Sequence, residues 1–112
     1  MAGPSYDPRM PNRFIKPEGL SNNPAYTHVV AASGGTTVYI SGQVAVDASG
    51  ATVGSGDLEA QTRQVMENLK VALAAAGATF DDVVKITTYV VGYEPAMRAV
   101  IAGVRGSYLS GD

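Results

Sequence analysis

The stretch from residue 57 to 77, DLEAQTRQVMENLKVALAAAG, most constrains the fold of this chain. Leu58, Thr62, Val65, Met66, Leu69, Ala72, Leu73 and Ala76 recur at helical spacing on one stripe. Glu59, Arg63, Glu67 and Lys70 lie away from it. Ser55 and Asp57 offer N-cap oxygens, Glu59 suits the positive helix start, and Gly77 is a natural stop. A helix with one apolar stripe must bury it against another layer, so the rest of the chain has to supply that layer.

Alternating segments are the candidates. Residues 13–16 read as a short edge strand stopped by Pro17 and Gly19, and residues 21–24 (SNNP) carry turn chemistry. Strands are expected at 26–32 and 37–46, joined through Ser33, Gly34 and Gly35 as a hairpin. In the second of these, Val38, Ile40, Val44 and Val46 share one face; Thr37, Tyr39, Ser41 and Gln43 share the other. Residues 47–56 form a glycine-rich loop, and 83–91 reads as a further strand. Pro95 opens a second helix that turns Met97, Val100, Ile101, Val104 and Tyr108 inward and ends near Ser110. The order predicts an α+β domain with both helices on one face of a sheet, preceded by an irregular leader over 1–12.

At 112 residues the chain is expected to be one domain, with 46% apolar and 16% charged residues, as in globular proteins. So few charges favour an oligomer. The net charge of −2 and the lack of any Lys/Arg run argue against a nucleic-acid partner. With no cysteine there is no disulfide framework or thiolate chemistry, and a single His28 makes a zinc site improbable. No secretory signal or membrane span is expected, and a cytoplasmic location fits.

Motifs for nucleotide binding, serine hydrolysis or metal-dependent proteolysis are missing from the sequence. The adjacent Asp81 and Asp82 read as a solvated connection, and His28 as a hydrogen-bonded strand or interface residue. Gly42 is the unusual feature. A glycine inside a strand packs nothing and marks a bulge or a close approach by a ligand or backbone. The Tyr39, Ser41 and Gln43 face is open to two readings, a solvated strand or a polar cleft at a subunit interface into which Tyr26 also reaches.

The runs PAYTHVVAASGGTTVYISGQVAVDASGATVG and DLEAQTRQVMENLKVALAAAGATFDDVVKITTYV resemble the RidA (YjgF) family of reactive-intermediate deaminases, whose members are also described as perchloric-acid-soluble ribonucleases and translation inhibitors. The resemblance spans roughly residues 13–110 and rests on Pro-x-Tyr, Ser-Gly-Gln, the QTRQVMENL helix and DDVVKITTYV taken together. It implies a chorismate-mutase-like α+β subunit, a homotrimer with clefts between subunits, and hydrolysis of small carboxylate-bearing imines or enamines without a metal or organic cofactor. By motif, Tyr26 would line the cleft, Ser41 would lie beside the ligand, and Gly42 would let a backbone N–H approach a ligand oxygen. Tyr39 and Gln43 would support the interface or hold neighbouring groups in place. A non-catalytic small-molecule or protein-binding trimer of the same fold is the alternative.

The family also carries a carboxylate-binding arginine in a strand after the second helix. The expectation is that this sequence lacks that arginine and the final strands, through truncation or as a short member, and is impaired as a result. Arg105 is no substitute, because it lies within the second helix, and Ile101 stands where the family often has an asparagine.

Overall fold

The computed structural model describes residues 12–24 and 26–109. The leader assigned to 1–12 therefore lies almost wholly outside the described residues. The chain divides into two compact units, one reaching Thr37 and one running from Val38. Each is described by itself.

In the first unit β1 (Asn12–Ile15) pairs antiparallel with β2 (Val29–Ala32), Ile15 opposite Val29 and Asn12 opposite Ala32. The expected edge strand is present, and it takes the place assigned to residues 37–46. The strand expected at 26–32 is shortened to its last four residues. Its start is diverted because the His28 ring is bonded back to the Ser21 carbonyl. Gly34 (φ +76°) and Gly35 (φ +65°) adopt the left-handed conformations that a tight hairpin turn demands, yet among the described residues the only strand paired with β2 is β1.

The second unit is organised by α1 (Leu58–Ala75) and α2 (Met97–Gly106), which pack on each other. Asp57 caps α1 by accepting from the Ala60 amide at 3.1 Å. At the other end the Gly77 amide reaches the Ala74 carbonyl and the Ala78 amide reaches Leu73, with Gly77 at φ +74°. This paired closure satisfies carbonyls that the helix leaves open, and it needs a left-handed residue at Gly77. Met66 and Leu73 from α1, with Ile101 and Val104 from α2, are the buried apolar residues. Full burial of a side chain this size contributes about 1.5–3 kcal/mol. The Phe80 and Tyr108 rings meet edge to face at 5.7 Å beside this core.

Between the helices, Asp81 and Asp82 sit in a short 3₁₀ turn (Phe80–Asp82). The Thr79 hydroxyl accepts from the Asp81 amide, and Asp82 accepts from the Thr79 amide at 2.9 Å. The pair is thus structural turn chemistry, as its sequence context indicates. The strands expected at 37–46 and 83–91 are not formed: among the described residues these stretches join no ladder, Ala45 is a bend, Val91 lies in a turn, and Val46 makes an isolated antiparallel bridge to Thr52. Several apolar side chains stand out in water along them, including Val44, Tyr89 and Val91, the last 99% exposed. Alternation specifies which way side chains point, whereas a ladder also needs a neighbouring backbone to supply donors and acceptors.

Gly54 shows how tightly the loop before α1 is fitted. At φ +72°, an added Cβ would lie 2.8 Å from the Ala60 Cβ and 3.0 Å from the Gln61 nitrogen, while Gln61 Nε2 donates to the Gly54 carbonyl at 2.8 Å. Gly56 has a similar φ of +74° but open space around it. Gly54→Ala should therefore cost about 2–4 kcal/mol and Gly56→Ala only about 1–2 kcal/mol, read from denaturant midpoints.

Candidate functional site

Ser41 and Gly42 lie in the second unit on the run 38–46, whose far end is held by the Asn68 side chain and by an isolated antiparallel bridge from Val46 to Thr52. Asn68, at the middle of α1, donates through Nδ2 to the carbonyls of Val44 (3.1 Å) and Val46 (2.9 Å). Its Oδ1 accepts from Gln64 Nε2 at 2.9 Å, so both functional ends of the amide are engaged. The far side of the run folds back on itself. The Val53 amide donates to the Ala45 carbonyl at 2.8 Å, and the Asp47 amide donates to Ala51 at 2.9 Å.

Within this frame the Gln43 amide donates to the Ser41 carbonyl at 3.2 Å. Ser41 and Gly42 are exposed, and a Cβ added at Gly42 would meet nothing within 4 Å. Backbone amides in this state can be approached directly by a ligand oxygen. Tyr39 is 91% exposed and supports no neighbour inside its unit. Asn68 is the positioning residue that sequence reasoning passed over. Its signal was there to find, as a polar side chain in the ENL step of an otherwise apolar-striped helix.

Tyr26 belongs to the first unit. There it lines a cavity of about 250 Å³ together with Lys16, Asn22, Asn23, Thr27 and His28. Its ring meets the His28 ring edge to face at 5.1 Å, and His28 Nε2 lies 2.7 Å from the Ser21 carbonyl. The carbonyl can only accept, so Nε2 carries the proton. Arg105 remains on α2 with its Nε closed off from water and without a partner, and Ile101 is part of the helix core. Among the described residues no group of three or more His, Asp or Glu side chains could hold a metal ion, and no helix is long and apolar enough to cross a membrane.

Next to the clamped run, Asp47 organises the turn at 47–51. Its Oδ1 accepts from the Ser49 hydroxyl (2.6 Å), the Ser49 amide (2.9 Å) and the Ala51 amide (3.1 Å). The Ser49 hydroxyl bond foremost, followed by that from Ala51, holds the carboxyl below its ordinary 3.8. A depressed folded value means that the ionised side chain stabilises the turn above the unfolded carboxylate range. The contribution is lost as pH falls through the lower folded value. An NMR titration should find the Asp47 carboxyl midpoint below the ordinary aspartate value, and Ser49→Ala should move it upward.

Comparison with known proteins accords with this architecture. The family described as endoribonuclease L-PSP matches residues 19–108. A crystal structure of YyfB from Yersinia pestis, a conserved Rid-family protein of unknown function, superposes with a TM-score of 0.81 at 46% identity, covering 88% of this chain and 76% of that one. A RutC family protein of Pyrococcus horikoshii is 42% identical over 59 residues, 53% of this chain and 47% of its own. Protein DfrA of Myxococcus xanthus is 35% identical over 86 residues, 77% of this chain and 64% of its own. The 3-aminoacrylate deaminase RutC of Acinetobacter baylyi is 39% identical over 74 residues, 66% of this chain and 58% of its own. The chain thus spans roughly half to two-thirds of the length of these sequence relatives. The α+β fold is that of the Rid proteins, and the chain belongs to the endoribonuclease L-PSP (RidA/YjgF) family.

Proposed function

We propose that the protein is an imine/enamine deaminase that acts as a homotrimer on small carboxylate-bearing substrates such as 2-aminoacrylate. The observation that carries this reading is the open backbone at Ser41 and Gly42, held out by Asn68 and Gln43. The likeness to a 3-aminoacrylate deaminase supports the substrate class.

The chemistry asks little of the protein. After the enamine tautomerises to the imine, water adds to the electrophilic carbon. The C–N bond then breaks, ammonia leaves, and the 2-oxo acid remains. The site has to orient the imine and water and manage protons. In this reading Tyr26 and the Ser41 hydroxyl contact the substrate, and the Gly42 N–H donates to one of its oxygens. Gln43 supports that arrangement from beside Ser41, and Tyr39 would do so only across the subunit interface. Among the described residues the Ser41 hydroxyl has no hydrogen-bonded base beside it, so its role is to bind and orient rather than to attack.

That same observation favours a second reading, a binding module of the same fold without turnover. The family's ribonuclease description fits less well, because the chain has a net charge of −2 and one histidine. The deciding measurement follows 2-aminoacrylate, generated by a dehydratase, with purified protein present. Accelerated decay that falls about tenfold to a hundredfold in Ser41→Ala and in Tyr26→Phe supports the deaminase. Saturable binding of a 2-oxo acid without acceleration supports the binding module.

A further inference from the structure

The first turn of α2 holds an acceptor whose strength depends on its oxidation state. Four methionines occur in the sequence, and Met66 and Met97 are the two among the described residues. Met66 is sealed in the helix core at 2% exposure. Met97 is partly exposed, with exposed residues on either side of it from Tyr93 to Ala96 and from Arg98 to Val100. Its Sδ accepts from the Glu94 amide at 3.4 Å, while its own amide donates to the Glu94 carbonyl at 2.9 Å. The Thr79–Asp82 turn has the same spacing, and there a carboxylate oxygen of Asp82 accepts from the Thr79 amide at 2.9 Å. At a helix start this third position normally carries Glu or Gln, whose oxygen reaches back to the opening amide. Met97 fills it with a thioether, a weak acceptor, and Ala96 supplies no side-chain cap of its own.

We propose that Met97 is a methionine-oxidation site at which the sulfoxide oxygen becomes the cap of α2, with a peroxide as the oxidant. The sulfur lone pair takes one peroxide oxygen, the O–O bond breaks, and the other oxygen leaves as water with both protons of hydrogen peroxide. Sulfur gives up two electrons and the peroxide gains them. In a packed core a sulfoxide is disruptive. At Met97 the new oxygen instead replaces a weak acceptor opposite an N–H that already points at it. Oxidation therefore tightens the first turn of α2 and leaves the core at Met66 and Leu73 intact, and methionine sulfoxide reductase reverses it. The proposal does not rest on the deaminase reading.

The test treats the full 112-residue chain with hydrogen peroxide and follows each methionine by peptide mass mapping. Met97 should gain one oxygen at least about tenfold faster than Met66, because reaction follows exposure. In the oxidised protein the Glu94 amide should exchange with solvent deuterium about three- to tenfold more slowly, and reductase treatment should restore the original rate. Met97→Gln, with an amide oxygen in the same place, should show the slower exchange without peroxide. Met97→Leu should show no change at Glu94 when peroxide is added. Equal oxidation of Met66 and Met97, or a Glu94 amide that exchanges no more slowly after oxidation, would overturn the proposal. The exchange comparison is made on one protein before and after peroxide, so it holds even if a variant fails to fold.

Discussion

The Asn68 side chain is the interaction on which the candidate site depends. Its two N–H bonds reach the Val44 and Val46 carbonyls, on a segment that among the described residues has an isolated bridge from Val46 to Thr52 and no ladder. Those bonds transfer the order of the α1/α2 core, built on Met66, Leu73, Ile101 and Val104, to the run carrying Ser41 and Gly42. A side-chain amide can replace part of a ladder because it offers two donors to two carbonyls at once. Asn68 spends its remaining acceptor on Gln64, which fixes the orientation of the amide. The run is thus held from one side while Ser41 and Gly42 stay open.

The first unit uses a similar economy around a different group. Ser21 anchors His28, His28 presents an edge to Tyr26, and the strand that should include all of residues 26–32 begins only at Val29. What the ladder loses in length becomes the wall of a cavity. This is the usual relation between regular structure and function, with recognition groups gathered where the chain leaves the strand.

The helices were the most legible part of the sequence. The stripe of α1, its Asp57 cap and its Gly77 stop are all local features, and local features survive whatever packs around them. The strands were less legible. Residues 37–46 and 83–91 alternate in sequence yet join no ladder among the described residues, because pairing depends on backbones distant in sequence. Gly34 and Gly35 carry the right φ for a hairpin, and still β2 pairs with β1. At the site, the backbone at Gly42 is open and Gln43 bonds the Ser41 carbonyl two residues away. Asn68 escaped notice because its partners lie more than twenty residues away, and a polar residue in a helix normally reads as solvent-facing. The pocket role of His28 was hidden for a similar reason, since its bond to Ser21 is a turn contact within a predicted strand.

Native-state hydrogen exchange tests the central role of Asn68 most directly. In the unmodified chain the Val53 amide, bonded to the Ala45 carbonyl beside the clamped residues, should be protected well above an open loop. In Asn68→Ala that protection should fall by about five- to thirtyfold, the equivalent of roughly 1–2 kcal/mol of lost hydrogen bonding. The amides of Met66 and Leu73 in the helix core should keep most of theirs. If the Val53 amide exchanges equally in the two proteins, or if the helix core loosens by the same factor, Asn68 is not what holds the Ser41–Gly42 segment to the core.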